Sequence, residues 1–429
     1  MANVMSKSTT RVVMVLVCAF MMLGLIWFAS RDALASLHNS RAAKNASLLS
    51  IDKAISLTGS DADAHLLRGA LLEANDDLAS AIAEYEQATA LRPEDYVLWL
   101  TLARGRELNG EQDKAIAAAR MAMPLAPFYA QPHWQLGNLL VRAGQTAEGF
   151  KELRLASSIN PDFLSPVIDL VWQLSKGDVQ FVENTIVPKN AGEYAALAEC
   201  FKRHGQVDDA IEMLAFAGPD SKIAQRRQFI NELIAAKKFK EAYRLWSMGG
   251  SSESDGARTI IDGGFERETN LDEPGFGWHA ENKAPSITRA LDSSSVKEGR
   301  SSLRLDFNGD SDPNVSMISQ FVLIEPRAHY RLQFAARAEE IVSGGLPLVR
   351  VIDATSGRVL GEATSISQSR DWLDYSIDFV TTDSADTIQI ILLRNPCNAR
   401  TCPIFGRLWM DALSLQKSET PAARAQLAH

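Results

Sequence analysis

Residues 12 to 29, VVMVLVCAFMMLGLIWFA, form an unbroken run of eighteen uncharged, mostly apolar positions. At about 1.5 Å of rise per residue such a run gives about 27 Å of helix, close to the thickness of a bilayer core, and predicts a membrane-spanning segment. From residue 46 the pattern changes to helical periodicity with small residues in register. Gly69, Ala103 and Gly137 fall in a first helix, Ala81, Ala115 and Gly149 in a second, and Ala88, Ala122 and Ala156 near its end. Pro93, Pro127 and Pro161 recur 34 residues apart. After Trp246 the helical period stops, and runs such as SSLRLDF, YRLQFAARA and TIQIILLR alternate apolar and polar positions between turn signals. That alternation predicts the antiparallel strands of a sandwich.

A fixed period of this length marks stacked helical pairs, in which small residues let two helices approach closely. Residues 62–95, 96–129 and 130–163 resemble tetratricopeptide repeats. Weaker copies follow: EYAALAECFKRHGQVDDAIEMLAFA carries Ala198, Gly205 and Ala210, and INELIAAKKFKEAYRLW carries Ala242 before Trp246. Residues 164 to 190 read as a degenerate repeat, and ASLLSIDKAISLTG as a lone capping helix, so the array is set at 46–247. The resemblance implies a concave groove lined by the first helix of each pair, where a partner protein docks. At matching positions Arg104, Trp134, Asn138, Arg142, Lys202 and Arg203 are the groove candidates, a set suited to an acidic or C-terminal peptide. The plainer alternative is a solvated helix face with Trp134 packed on its neighbour.

Residues 248–257, rich in Gly and Ser, read as a flexible linker. Beyond it, IIDGGFERETNLDEPGFGWHA, KEGRSSLRLDF, QFVLIEPRAHYRLQFAARA, DWLDYSIDFV and WMDALSLQ occur in the order of a carbohydrate-binding-module type of galactose-binding-like jelly roll, which they resemble over 258–416. The resemblance implies a structural calcium held by Glu266 and Asp411, with backbone carbonyls near Glu298 to Arg300 completing the shell. The alternative is a pair of hydrogen-bonded edge carboxylates. For glycan, the candidate aromatics are Phe276 and Tyr375, while Trp278, Trp372 and Trp409 read as core. The acidic run DFNGDSDPN reads as a polar turn, and residues 417–429 as a disordered tail.

At 429 residues the chain exceeds a single core. Its net charge of −9, with no cluster of Lys and Arg among aromatics, lacks the footprint of a nucleic-acid binder. Lys7 and Arg11 precede the span without an acid, which puts residues 1–11 in the cytoplasm and the bulk of the chain outside it, at a bacterial inner membrane. A cleaved signal ending at Ala33-Leu34-Ala35 is the alternative. In an oxidising compartment Cys397 and Cys402 pair as a disulfide, with two free thiols as the alternative. No HExxH, GxSxG or Walker-type motif is present, so an enzyme is not expected. Glycoside hydrolysis needs only two facing carboxylates, so a glycan-active enzyme is the least favoured option. The sequence therefore points to a multidomain, membrane-anchored scaffold: a transmembrane helix, an all-α repeat solenoid docking a protein partner, and an all-β jelly roll engaging polysaccharide in envelope or exopolysaccharide assembly. A purely proteinaceous assembly factor with an inert sandwich is the alternative. No cofactor is expected beyond the calcium.

Overall fold

The computed structural model describes residues 7–45, 47–218, 223–249, 260–267, 274–280, 286–310, 312–313, 315–397 and 402–418. Most of the expected linker, the last part of the expected tail, part of the CNARTC loop and the first six residues lie outside that set. Two compact units divide the chain, Met1–Pro188 and Lys189–His429.

In the first unit α1 (Lys7–Asn45) is one helix of 39 residues. Beyond Gly24 it holds neither glycine nor proline, so nothing ends the helix where the apolar run ends. Phe20 and Trp27 are exposed, whereas Ala35 and Ala42 are buried. Ala42 packs with Ile51 and Ala54 of α2 (Leu48–Leu57) and with Ala64. The Arg31 guanidinium donates to the Leu57 carbonyl, and Asn39 Nδ2 donates to Asp61 Oδ2 at 2.8 Å. The capping helix expected to stand alone is therefore paired, with the second half of α1 as its first helix. The pairing hid because Ala35 and Ala42 sit among charged and polar residues that carry no apolar stripe.

Three regular pairs follow: α3 (Ala62–Ala74) with α4 (Leu78–Leu91), α5 (Tyr96–Leu108) with α6 (Gln112–Ala122), and α7 (Ala130–Arg142) with α8 (Thr146–Ile159). Asp61, Asp77 and Asp95 cap α3, α4 and α5 by accepting first-turn amides. Gly110 and Gly144, at φ 76° and 78°, close the turns within pairs. A 3-10 turn, Pro161–Phe163, ends the third repeat, and the degenerate stretch forms two short helices, α9 (Leu164–Leu174) and α10 (Val179–Ile186). The periodic small residues mark close approaches. A Cβ added at Gly69 would lie 2.7 Å from Tyr85 Cδ1, and one at Gly137 would lie 2.9 Å from the Gly149 carbonyl oxygen.

The second unit begins with α11 (Ala191–Arg203), α12 (Val207–Ala217), α13 (Ile223–Ala235) and α14 (Phe239–Ser247). Nine strands follow among the described residues: β1 (Ile287–Asp292), β2 (Ser302–Asp310), β3 (Ile318–Leu323), β4 (His329–Ser343), β5 (Pro347–Asp353), β6 (Val359–Glu362), β7 (Ser369–Val380), β8 (Thr387–Arg394) and β9 (Pro403–Ser418). They form antiparallel sheets in the orders β1-β2-β9-β4-β7 and β3-β8-β5-β6, the jelly-roll sandwich expected. Alternate residues such as Leu303, Leu305 and Phe307 meet Val349, Val351, Ile388 and Ile390 in one core.

Within this unit the last helix packs directly on the sandwich. Tyr243 and Trp246 of α14 hold the Phe276 ring at centroid distances of 5.4 and 5.9 Å, and Phe239 meets Phe321 of β3 at 5.2 Å. Gly275, at φ 134°, leaves room for this contact, since a Cβ there would lie 2.7 Å from Phe321 Cδ2. Lys240 and Asp386 add an ion pair at 3.1 Å. Surface ion pairs contribute about 0 to 1 kcal/mol, whereas truncating a buried Phe costs about 3 to 5 kcal/mol, so the aromatic cluster dominates the contact.

Gly137→Ala separates helix propensity from packing. Alanine favours an isolated helix by about 1 kcal/mol, but the overpacking against backbone at this crossing costs about 1 to 3 kcal/mol. A lowered thermal midpoint is the expected result; a raised one would show that the two helices can move apart freely.

Candidate functional site

The groove candidates sit on the first helices of the pairs, but the structure gives their cations partners. Arg104 of α5 pairs with Glu73 of α3, its Nη2 lying 3.0 Å from Oε2, and Arg142 of α7 pairs with Glu107 of α5. Each pair crosses from one repeat to the next. Burial pushes Glu73 up, yet hydrogen bonds from Arg104 and from the Tyr85 hydroxyl at 2.7 Å outweigh it and hold the carboxyl below its usual value. Asn138 donates to the carbonyl of Trp134 at 2.8 Å within its own helix. Trp134 stacks on Phe163 at 4.8 Å and 19°, beside a cleft of about 570 Å³. In the second unit Lys202 lies 3.2 Å from Glu199, 3.5 Å from Glu232 and over the Phe229 ring, with Arg203 next to it at the end of α11. The expected run of bare cations is thus a ladder of braced pairs. Arg104 and Arg142 remain 48% and 62% exposed while Glu73 and Glu107 are only 17% and 20% exposed, so the guanidinium side of each pair faces water.

Another recurrent pair escaped the sequence reading. His65 Nδ1 lies 2.7 Å from Glu84 Oε2, and His133 Nδ1 lies 2.6 Å from Glu152 Oε2, binding the two helices of α3–α4 and of α7–α8. His65 and His133 stand two periods apart, as do Glu84 and Glu152, and that recurrence was the available signal.

On the sandwich, Glu266 and Tyr375 share a cleft of about 520 Å³ with Lys297, Gln333 and Asp374. Tyr375 is half-buried and stacked on Phe334 at 5.1 Å and 7°. Asp374 pairs with Lys297 at 2.9 Å. Behind the cleft Asp411 is fully buried at a β9 bulge, its Oδ2 accepting the amides of Lys297 at 2.8 Å and Glu298 at 3.0 Å, and its Oδ1 that of Ala412 at 2.7 Å. Burial raises the Asp411 carboxyl above its usual value despite those amides, and the Glu266 charge adds to the rise. Glu266 Oε1 accepts the Arg300 amide at 2.8 Å, the main cause of its lowered value. Asp262, Phe265 and Ala412 take left-handed backbone beside these carboxylates, at φ 50°, 51° and 55°. Strain of this kind persists only where surrounding contacts over-determine it.

This arrangement does not fit the calcium that the resemblance implied. Calcium takes six to eight oxygens turned toward it. Here the 297–300 loop turns amides toward the carboxylates, and among the described residues no group of three or more His, Cys, Asp or Glu is placed to hold a metal. Phe276, the other glycan candidate, is 1% exposed inside the α14 contact and offers no face to a sugar.

Trp278 and Trp409 are buried, Trp278 stacked on Phe265 at 5.1 Å. Trp409 lies on the outer face of the five-stranded sheet, covered by the guanidinium groups of Arg337 and Arg407, and donates to Asp292 Oδ2 at 2.9 Å. Burial pushes Asp292 up, but hydrogen bonds from Ser294, Trp409 and Arg304 outweigh it and hold the carboxyl well below the usual range. Cys397 and Cys402 are joined as a disulfide with Cα atoms 5.7 Å apart. The buried Arg394 ties this loop down, donating to the Cys402 carbonyl at 2.7 Å and to Ser343 Oγ at 2.9 Å.

No protein-family profile and no curated protein matches the chain. Similar solved structures include PilF of Pseudomonas aeruginosa, 16% identical over 43% of this chain and 89% of its own, at a TM-score of 0.32. YrrB, described as a TPR protein with an unusual peptide-binding site, is 17% identical over 46% and 88%, at 0.31. The CBM22-1 xylan-binding domain of Paenibacillus barcinonensis Xyn10C is 11% identical over 39% and 96%, at 0.27. At these values function has to be argued from the chain's own geometry.

Two measurements check the site. Because Asp292 is depressed in the fold, its stabilisation is complete above its unfolded value near pH 4 and is lost as pH falls through the lower folded value. Asp292→Asn is expected to lower the thermal midpoint at pH 7 and to flatten its decline below pH 4; an unchanged acid limb would remove Asp292 from that role. Adding millimolar calcium or EGTA is expected to leave the midpoint in place, and a rise of several degrees with calcium would mean that the 297–300 loop can turn its carbonyls inward.

Proposed function

We propose that the chain is a membrane-tethered scaffold without catalytic activity, anchored by α1 with its bulk outside the cytoplasm. Its repeats dock a protein partner, and its sandwich engages a glycan in the Tyr375 cleft. Support for the span comes from one described helix long and apolar enough to cross a membrane, its most apolar 18-residue window unburied. The observation that carries the docking role is the exposed ladder of Arg104–Glu73 and Arg142–Glu107 pairs along consecutive first helices. The guanidinium groups keep faces open to water, so a partner's carboxylates can add to them there without displacing Glu73 and Glu107. For the glycan, support rests on Tyr375, a half-buried ring held by Phe334 among polar groups that can fix hydroxyls. A link to envelope or exopolysaccharide assembly would follow from such a glycan.

The second reading, an inert sandwich in a purely proteinaceous assembly factor, draws on the α14 contact, which gives the sandwich a structural task. Deleting residues 258–416 would strip α14 of its aromatic cover, so point substitutions are the cleaner test. In affinity capture of detergent-solubilised full-length protein, Arg104→Ala with Arg142→Ala is expected to lose the partner about tenfold while keeping glycan. Tyr375→Ala should do the reverse on a glycan array. No array hit for the native chain, with the partner retained, would leave the inert sandwich standing.

A further inference from the structure

Resting on α1 as the bilayer anchor, the direction of the first unit relative to the membrane can be worked out. Helix α1 continues unbroken from the span into the first helix pair. Its partner α2 runs back antiparallel, so that Leu57 returns within reach of the Arg31 guanidinium, which donates to its carbonyl, and Asp61 comes level with Asn39, whose amide donates to it. Arg31 follows the last residue of the apolar run by two positions, about 3 Å along the helix. Asn39 follows the apolar run by ten positions, about 15 Å, so the turn between α2 and α3 is held between these two levels, at or just beyond the headgroup layer. Short connections make successive helices antiparallel, so α3, α5 and α7 run in the direction of α1. With α1 as the anchor, the turns that open them, at 58–61, 92–95 and 123–129, fall on the side of the unit from which the span enters.

The third of these turns is unlike the others. From Met121 to Val141 the chain holds no Asp, Glu, Lys or Arg, and the turn itself reads Met123-Pro-Leu-Ala-Pro-Phe-Tyr129. Phe128 is 85% exposed and Tyr129 59%, with Leu125 at 38%. Behind them the stacked Trp134 and Phe163 line the 570 Å³ cleft. Among the described residues Tyr129 leans on Tyr96 at 5.5 Å, whereas the Phe128 ring stands out in water, and clustered exposed apolar groups mark a binding surface. Tryptophan and tyrosine beside apolar tips, without charge, is the composition that settles at the boundary of headgroups and acyl chains.

We propose that the 123–129 turn, with Phe128 and Leu125 at its tip and Tyr129 and Trp134 at its flank, inserts into the bilayer interface as a second membrane contact. The first unit would then lie against the membrane at two points, which fixes its tilt and leaves the exposed ion-pair ladder free for the protein partner.

The test uses the full chain in phosphatidylcholine nanodiscs, with Cys18→Ser and Cys200→Ala and one new cysteine carrying an environment-sensitive fluorophore. Phe128→Cys reports on the turn. Asn109→Cys, beside Gly110 on the opposite side of the same repeats, is the control. Both positions are exposed, so matching circular-dichroism midpoints should confirm folding. Quenching by lipids nitroxide-labelled near the headgroup is expected to be at least threefold stronger at 128 than at 109, with a blue-shifted emission. Hydrogen exchange at residues 123–130 of the unlabelled native chain should slow by tenfold or more in nanodiscs relative to detergent monomers. Equal quenching at both positions together with unchanged exchange, in protein that stays with the discs, overturns the second contact alone and leaves the cleft to a peptide. Failure of the native chain to enter discs at all overturns the anchor and this inference with it.

Discussion

One helix meets two environments without a break, and the rest of the first unit takes its bearings from that. In α1 the large apolar side chains described in the first part are exposed, while Ala35 and Ala42 further along are buried, Ala42 against α2. A glycine or proline between them would have allowed a swivel. Its absence means that the array's first pair inherits the direction of the apolar segment, and each antiparallel pair after it inherits the direction of the pair before. The contacts that enforce this are small: two alanines, and the bonds Arg31 and Asn39 make to Leu57 and Asp61. They matter because alanine admits a close backbone approach and so permits little rocking.

How legible this was in the sequence depended on whether a pattern repeated. Gly69, Gly137 and Gly149 announced the solenoid because close helix crossings recur at a fixed interval and admit only small residues. Strand alternation announced the jelly roll for a similar reason. The pairing of α1 with α2 stayed hidden, since a single pair has no copy to be compared with. Phe276 was misjudged because an aromatic after glycine looks the same whether it awaits a ligand or a helix; only the presence of Tyr243 and Trp246 on a helix folded back on the sandwich decides between them.

The candidate sites show the same limit in electrostatic form. Arg104 and Arg142 were legible as first-helix cations, but their partners Glu73 and Glu107 lie one repeat away and no local pattern ties them together. Glu266 and Asp411 were legible as neighbours across the chain. Which polarity the 297–300 loop presents to them was not, because an N–H and a C=O belong to the same residues and only the backbone rotation distinguishes them. Charge type is written in sequence; pairing and peptide orientation are written in tertiary structure.

The contact of α14 with the sandwich separates two kinds of connection that are easily taken as one. Covalently, the helices and the strands of the second unit are joined through the chain between Gly249 and Ile260. Physically they are also joined by Phe239, Tyr243 and Trp246 clasping Phe276 and Phe321. A protease that cut the covalent join would therefore not release the sandwich as a free fragment: the two pieces would travel together until denaturant opened the aromatic cluster, and a gel run under denaturing conditions would report a break that the folded molecule conceals.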